Sequence, residues 1–349
     1  YRRQRQMCIR DRSYLDRSGI MIVLAGDIGG TNSRLVIAEI SKHNQHFLAE
    51  KTYPSNQYSS LEQVVACFIS DFDFTKTIDE ACFAVAGPVI SGAAKITNLP
   101  WTINEQQLEV DLKIPRVKII NDFMAVAQGI EWLDDEDTLV IQAGCRLNDN
   151  GHPDAAILGA GTGLGASHRV WIDNQYHILP SETGHVSFAP DNEQQSQLLL
   201  WLQAKYQHVS LEKILSGGGL CLIYQFLLED KQYTESVVVK NEILENDPAR
   251  VITEYGLANA DELCAKALDM FVEIYGAIAG DVALHYYPVD ELFIAGGIAP
   301  RLKNKIASLQ FLEAFTNKGM MSENLKKISV KLILDNKVGL YGALSCIEK

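Results

Sequence analysis

Two glycine-rich segments are the part of the chain best suited to chemistry on a phosphate. The first runs from Ile22 to Asn32 and the second from Ile157 to Gly165, and each joins an apolar run to glycines and a threonine. Glycines let backbone N–H groups approach a polyphosphate closely and adopt φ values that other residues resist. One such turn is weak evidence, because glycines also serve tight hairpins. Two of them, about 130 residues apart, indicate two similar α/β lobes that face a nucleotide.

Neither turn fits the familiar fingerprints of nucleotide-binding helices. A G-x-G-x-x-A motif starting at Gly161 would need a helix directly after it, and the residues from Val170 to Ile172 favour a strand instead. The pattern G-x-x-x-x-G-K-[ST] is absent, because no glycine in the sequence is followed by lysine. The sequence therefore predicts a strand on both sides of each turn.

Asp122 is the candidate catalytic residue. It follows the apolar run from Val117 to Ile120 and Asn121, and ligands of open α/β sheets bind at the carboxyl ends of strands. A carboxylate there can accept the proton of a substrate hydroxyl as that hydroxyl attacks a γ-phosphate. Alternatively, Asn121 or Asp122 simply caps the helix that is expected from Phe123. The two roles are compatible.

A second polar cluster lies in the segment Glu182-Thr-Gly-His185. A carboxylate accepts hydrogen bonds from vicinal hydroxyls and a neutral imidazole offers one donor and one acceptor, which suits a sugar. A metal site is the rival interpretation, although no second histidine stands at i+4 and no cysteine pair is near. Taken singly, Glu182, His185 or the later Glu212 would more often be a solvated or structural residue.

Strands and helices that would position these residues alternate along the chain. Strands are expected in a hairpin over 21–40 and at 81–86, 117–120, 155–158 and 291–295, with helices at 61–70, 123–130, 193–206, 217–228 and 261–287. The charged residues 229–256 are expected to form an irregular surface excursion, and the acidic residues 134–137 a hinge or domain boundary. Gly296 and Gly297 follow the last strand as a surface for a flat ligand or as a simple turn.

Composition bounds the class of protein. With 349 residues and 47% hydrophobic residues, the chain can form two lobes with separate cores. Its net charge of −13 disfavours nucleic acid, whose binding needs a basic surface. The seven cysteines are scattered and never in C-x-x-C spacing, which indicates reduced thiols in the cytoplasm. No apolar run approaches the ~18 residues needed to span a membrane.

Residues 1–20 stand apart from the remainder of the sequence. The first 17 contain six arginines and two aspartates, and the apolar stretch after them is too short for a signal peptide. We expect this segment to be an extension outside the family pattern, either disordered or artefactual, with a conventional first strand from Met21.

Motifs distributed from about Met21 onward resemble those of the bacterial glucokinases, in the same order. They are Gly26-Asp-x-Gly-Gly-Thr-Asn32, Ala86-Gly-Pro-Val89, Thr97-Asn-x-Pro-Trp101, Ile120-Asn-Asp-Phe123, Gly159-Ala-Gly-Thr-Gly-Leu-Gly165, Glu182-x-Gly-His185, Glu212-x-x-Leu215-Ser-Gly217 and Ile294-Ala-Gly-Gly-Ile298. Taken together, these motifs are highly specific.

The resemblance implies a two-lobed actin/hexokinase-like ATPase fold, an α/β fold with a ribonuclease-H-like mixed sheet in each lobe. The small lobe is expected to comprise residues 21–132 plus 335–349, and the large lobe residues 133–334. The implied reaction transfers the γ-phosphate of ATP to the 6-hydroxyl of D-glucose, with Mg²⁺, in glycolysis. A cytoplasmic homodimer without nucleic-acid or membrane partners is implied as well.

The resemblance also implies roles for individual residues. Asp122 matches the catalytic base, and the sugar ligands match Asn121, Glu182, His185 and Glu212. Asp27 matches the residue that holds hydrated Mg²⁺. The ATP-binding positions match Gly26, Asp27, Ile28, Gly29, Gly30, Thr31, Gly161, Thr162, Gly163, Gly296 and Gly297.

Three departures from the family pattern leave these central roles intact. Thr183 stands where glycine is common, Asp281 where asparagine is common, and Lys337 where proline is usual. Two other functions are compatible with the same fold. An actin-like ATPase switch would leave the Glu182, His185 and Glu212 set unexplained, and a sugar-responsive regulator would not need Asp122 and both glycine turns.

Overall fold

The computed structural model describes residues 20–41, 44–145, 147, 151–230 and 233–347. They form two compact units. The first contains the described residues up to Leu133 together with those from Lys337 onward, and the second runs from Asp134 to Asn336. The extension expected at residues 1–20 lies outside the described residues except for Ile20.

The strands of the described residues are β1 (Met21–Ile28), β2 (Asn32–Ser41), β3 (Asn44–Pro54), β4 (Glu80–Val85), β5 (Val89–Ile90), β6 (Ala93–Lys95), β7 (Thr102–Asn104), β8 (Val117–Asn121), β9 (Thr138–Gln142), β10 (Ala155–Ala160), β11 (Leu164–Ile172), β12 (Gln175–Ser181), β13 (Glu291–Ala295) and β14 (Ser329–Ile333).

The α-helices of the same residues are α1 (Leu61–Asp71), α2 (Glu105–Leu112), α3 (Asp122–Gly129), α4 (Glu193–Gln203), α5 (Leu211–Ile214), α6 (Gly217–Glu229), α7 (Val237–Glu245), α8 (Pro248–Leu257), α9 (Glu262–His285), α10 (Lys303–Ile306), α11 (Leu309–Thr316), α12 (Ser322–Leu325) and α13 (Val338–Ile347). Short 3-10 turns join several of them, including one at Thr183–His185.

The first unit is built on a five-stranded mixed sheet in the order β3-β2-β1-β4-β8. Strands β1, β2 and β3 are antiparallel neighbours, whereas β1, β4 and β8 are parallel. Register pairs Ile28 with Val85 and Val85 with Asn121. The carboxyl ends of the three parallel strands therefore meet at one edge of the sheet, where the first glycine turn and Asp122 follow.

Both faces of this sheet are buried. Each strand contributes to both faces, because successive side chains point to opposite sides. Leu24 faces the cluster that contains Phe68 of α1 and Leu108 of α2. Val23 faces the opposite cluster, to which α3 and α13 contribute apolar residues. Helix α13 thus returns to the first unit after the chain has completed the second.

The second unit contains a six-stranded sheet in the order β12-β11-β10-β13-β14-β9. Strands β10, β11 and β12 are antiparallel neighbours, and β10, β13 and β14 are parallel. This repeats the strand order and directions of the first unit, with β9 added antiparallel to β14 at the edge. The long helix α9 is buried along most of its length.

The expectation of an irregular surface excursion over 229–256 is wrong. Residues 237–245 and 248–257 are helices α7 and α8. Ser236 caps α7, and Asp247 caps α8 ahead of a proline in its first turn, a combination that starts helices. Their charged residues lie on the outer faces, while Val239, Val251 and Ile252 are buried. Among the described residues, no helix combines the length and hydropathy needed to cross a membrane.

Candidate active site

The first glycine turn connects β1 to β2 and is held by Ser55, which directly follows β3. The Gly29 N–H donates to the Asn32 carbonyl at 2.9 Å. The Ser55 hydroxyl donates to the Gly29 carbonyl at 2.8 Å, and the Ser55 N–H donates to the Thr31 carbonyl at 2.9 Å. Ser55 is fully buried and its hydroxyl also contacts that of Ser33 at 2.9 Å. Ser55 therefore holds two carbonyls of this turn, one through its hydroxyl and one through its N–H.

Close packing, rather than an unusual φ, explains two of the glycines in the first turn. Gly26, Gly29 and Gly30 are not among the described residues with positive φ. A Cβ on Gly26 would lie 2.7 Å from Phe83 and 2.8 Å from Leu35, within the core. A Cβ on Gly30 would lie 2.8 Å from the Thr97 carbonyl oxygen. Neighbours inside the protein thus require glycine at both positions, and their contact with ATP stays a prediction.

Asp27 is the candidate magnesium ligand, near the carboxyl end of β1. A Cβ built on Gly339, in the first turn of α13, would lie 3.4 Å from the nearest carboxylate oxygen. Burial raises the pKa of Asp27, and the positive charge of Arg34 opposes that shift. Within the described part of the chain, no group of three His, Cys, Asp or Glu side chains could hold a metal. A single carboxylate is nevertheless sufficient for Mg²⁺ that keeps waters and binds substrate phosphates.

Asn121 and Asp122 stand at the junction of β8 and α3. The Asn121 carbonyl Oδ1 accepts from the backbone N–H groups of Phe123 at 2.9 Å and Met124 at 3.2 Å. Its Nδ2 donates to the Gly87 carbonyl at 3.1 Å. The sequence left open whether Asn121 or Asp122 caps α3, and the structure shows that Asn121 is the cap. The Asp122 Oδ1 also accepts from the Phe123 N–H at 2.9 Å.

The second glycine turn connects β10 to β11 and is tied to Glu212. The Gly161 N–H donates to the Gly163 carbonyl at 2.8 Å. The Leu164 N–H donates to Glu212 Oε2 at 3.0 Å. A Cβ on Gly163 would lie 2.5 Å from the same oxygen. Gly163 thus makes room for the carboxylate that the sequence assigned to the sugar.

Glu182 and His185 lie close to this turn. The Glu182 Oε2 is 3.8 Å from His185 Nε2, and 59% and 66% of their side chains are exposed. Between them, Gly184 packs directly on the Leu164 carbonyl, which leaves no space for a Cβ. Leu164 therefore contacts the segment of Glu182 and His185 through its carbonyl and Glu212 through its N–H. The structure brings the three sugar-ligand candidates of the second unit together around one residue.

Four glycines of the second unit have open space where a side chain would begin and do not have a positive φ. A Cβ on Gly297 would meet nothing within 4 Å, and one on Gly161 would meet only the Gly297 nitrogen at 3.9 Å. A Cβ on Gly217 or Gly218 would have its nearest neighbours at 3.8 and 3.9 Å. No protein neighbour therefore requires glycine at these four positions, and their backbone is open to a ligand.

Comparison with known proteins follows the same motifs. A sequence model of the glucokinase family matches residues 24–349. The chain belongs to the glucokinase family. The glucokinase of Nostoc sp. is 40% identical over 344 residues, which cover 94% of this chain and 99% of the relative.

Solved structures of glucokinases share this fold. The glucokinase from an Antarctic psychrotroph has a TM-score of 0.76 at 31% identity, covering 94% of this chain and 98% of that one. A ROK family glucokinase from Streptomyces griseus, solved in complex with glucose and AMPPNP, has a TM-score of 0.60 at 16% identity, covering 93% and 98%. The second likeness shows the fold alone. The predicted family, actin/hexokinase-like fold and ATP-dependent hexose kinase activity are confirmed.

Sequence reasoning did not single out Gly217 and Gly218 among the candidate site residues, although they lie beside the second glycine turn. They form the first turn of α6, which Ser216 caps by accepting from the Gly219 N–H at 3.1 Å. The Gly217 N–H donates to the Gly161 carbonyl at 3.1 Å, which joins this helix end to the second glycine turn. The signal was present, since Ser-Gly-Gly-Gly at a helix start is typical of anion-binding N-termini.

Proposed function

We propose that this protein transfers the γ-phosphate of ATP to the 6-hydroxyl of D-glucose, with Asp122 as the general base. The observation that carries the proposal is the second glycine turn. On one side it offers the uncovered backbone of Gly161 beside Gly217 and Gly297, and on the other it holds Glu212 through the Leu164 N–H. One turn therefore serves both a nucleotide and a polyhydroxyl substrate.

In the proposed reaction, the Asp122 carboxylate accepts the proton of the 6-hydroxyl as its oxygen attacks the γ-phosphorus. The bond from that phosphorus to the oxygen bridging it to the β-phosphate breaks, and ADP leaves. Such transfer depends on positioning and charge stabilisation more than on covalent chemistry. Asp122 is suited to this task because it follows the carboxyl end of β8, where Asn121 already caps the helix.

The sugar ligands divide the recognition of glucose between donors and acceptors. Glu182 and Glu212 would accept hydrogen bonds from sugar hydroxyls, and His185 offers one donor and one acceptor when neutral. Asn121 uses Oδ1 for the helix cap and one Nδ2 hydrogen for the Gly87 carbonyl, so its second Nδ2 hydrogen is the part available to donate to the sugar. Exposure of Glu182 and His185 leaves both accessible to a substrate.

The nucleotide would bind along the two turns and the glycine pair that follows β13. We assign the phosphates to residues Gly26 to Thr31 and Gly161 to Gly163, and the adenosine to Gly296 and Gly297. Asp27 would hold hydrated Mg²⁺, which neutralises charge on the β- and γ-phosphates when bound. Burial raises the pKa of Asp27 because it disfavours the charged carboxylate, and a bound cation would stabilise that charged form.

An Asp122→Asn variant tests the assignment of the base. General base catalysis contributes about 10²- to 10⁴-fold, so kcat for glucose phosphorylation should fall by about that factor. Binding of AMPPNP should stay within about twofold, because no nucleotide contact is lost. Asp111→Asn is the matched control, since Asp111 is exposed on α2 and accepts a hydrogen bond from the side chain of Gln107 on the same helix. A near-normal kcat for Asp122→Asn would reject the role of Asp122.

Three further properties belong to the same proposal and rest on the sequence resemblance. They are a homodimeric state, a location in the cytoplasm for glycolysis, and lobes at 21–132 plus 335–349 and at 133–334. Light scattering during size-exclusion chromatography tests the homodimeric state.

The proposed role of Mg²⁺ has its own test. Removal of Mg²⁺ with EDTA should abolish turnover, and excess Mg²⁺ should restore it.

A further inference from the structure

A buried tyrosine hydroxyl stands between the ends of two parallel strands in the second unit. Strands β10 and β13 pair in register up to Gly159 and Ala295. One residue further, the Ala160 N–H donates to the Tyr275 hydroxyl oxygen at 3.2 Å, and that hydroxyl donates to the Ala295 carbonyl at 3.5 Å. The Tyr275 hydroxyl thus lies between the Ala160 N–H and the Ala295 carbonyl, where the hydrogen-bonded pairing of β10 and β13 ends.

Tyr275 is fixed in this position by its surroundings. It lies in the middle of α9, is fully buried, and has Phe271 and Phe311 edge-on to its ring at centroid distances of 6.2 and 6.0 Å. The next residue, Gly276, packs directly on the Phe311 carbonyl. With helix and ring both held, the hydroxyl has a defined place relative to the two strand ends.

Each of the two strands leads directly into a turn that the proposed function assigns to the nucleotide. Strand β10 continues into Gly161, and β13 into Gly296 and Gly297. Gly296 has a φ of +84° and lies directly against the Ala160 carbonyl, which also accepts from the Ile298 N–H at 3.2 Å. Ala160 is therefore tied through its N–H to Tyr275 and through its carbonyl to the second of these turns.

We propose that Tyr275 is a positioning residue for the nucleotide, whose hydroxyl sets the spacing between the turns at Gly161 and Gly297. The inference rests on the proposed function, because it takes these turns as contacts of the phosphates and of the adenosine. Without the hydroxyl, the Ala160 N–H and the Ala295 carbonyl are left unpaired in a dry environment. Direct pairing of these two groups would then draw the strand ends together and narrow the space above Gly161.

Tyr275→Phe removes the hydroxyl and keeps the ring. We expect the KM for ATP and the Kd for AMPPNP, the latter measured by titration calorimetry without sugar, to rise about tenfold, equivalent to about 1.4 kcal/mol. The KM for glucose should change by less than about twofold, because Glu212 and its partners remain in place. These constants refer to folded molecules only, so partial unfolding of the variant does not mimic the effect. If Tyr275→Phe does not fold, Tyr275→Met replaces it, since methionine also lacks a hydroxyl and adapts to the same space.

Tyr224→Phe is the matched control. Tyr224 is a second buried tyrosine of the same unit, and its hydroxyl donates to Glu235 at 3.2 Å instead of to a strand end. It should leave all three constants within about twofold of the unmodified protein. An unchanged Kd for AMPPNP in Tyr275→Phe, or an equal rise in the KM for glucose, overturns the inference. Failure of the unmodified protein to phosphorylate glucose would instead refute the proposed function, and the AMPPNP titration separates the two results.

Discussion

Gly163 offers the sharpest test of how the second glycine turn works. A Cβ at this position would lie 2.5 Å from Glu212 Oε2, whereas ordinary contacts are 3.4–4 Å. In a Gly163→Ala variant the carboxylate must therefore retreat by about 1 Å, and its hydrogen bond to the Leu164 N–H is strained or lost. The protein can accommodate this shift, because the obstacle is the far end of a flexible side chain.

Displacement of the Glu212 carboxylate should weaken the recognition of glucose. A hydrogen bond to a charged group is worth about 1.5–3 kcal/mol, so kcat/KM for glucose should fall by about 10- to 150-fold. The KM for ATP should remain within about twofold, because the added Cβ faces Glu212 and the backbone of residue 163, which is the part assigned to the phosphates, is retained. A coupled assay of ADP release, with each substrate varied in turn, measures both constants.

Gly161→Ala is the companion variant. Its Cβ meets only the Gly297 nitrogen at 3.9 Å, so the unliganded protein accepts it, but the methyl occupies the surface assigned to the nucleotide. It should raise the KM for ATP and spare the KM for glucose. If Gly163→Ala raised the KM for ATP and left kcat/KM for glucose unchanged, the reasoning from Glu212 would be refuted.

Two further predictions concern stability and thiol reactivity. Asn121→Ala removes the cap of α3 and should lower the free energy of unfolding by about 1 kcal/mol, seen as a lower Tm of the unliganded protein. Asn121→Asp should retain most of the stability. An unchanged Tm in the alanine variant would contradict the capping role. Burial raises the pKa of the Cys221 thiol to about 11, so at pH 8 only about one molecule in a thousand carries the reactive thiolate. Alkylation at pH 8 followed by peptide mapping should therefore label the exposed Cys145 well before the half-buried Cys221, and equal labelling would contradict the raised pKa of Cys221.

The strands and turns could be predicted from sequence because their signals are local. The hairpin over 21–40 and the strand at 291–295 appear as predicted, since apolar residues bounded by glycines are typical of buried strands. Helices α7 and α8 were missed because their charged outer faces obscured three buried apolar side chains and two caps. The serine at 236 and the Asp247-Pro248 pair were the signals that identify them.

The reasons for particular residues in the site depend on neighbours distant in sequence. Gly26 is glycine because of Phe83, and Gly163 because of Glu212. Tyr275 reaches Ala160 across 115 positions of the chain. No local pattern contains such relations, because they arise only when strands and helices have packed. The sequence could therefore suggest the candidate site residues, whose roles stay predictions, but it could not predict the contacts that hold them.

The return of α13 to the first unit has a consequence for biosynthesis. Residues 134–336 are contiguous, so the second unit can fold while it emerges from the ribosome. One face of the first sheet, including Val23, Ala25 and Cys82, is covered partly by Leu340, Ala343 and Leu344 of α13. That face stays open to chaperones and to aggregation until the helix has left the exit tunnel, although its strands are among the first segments to be translated.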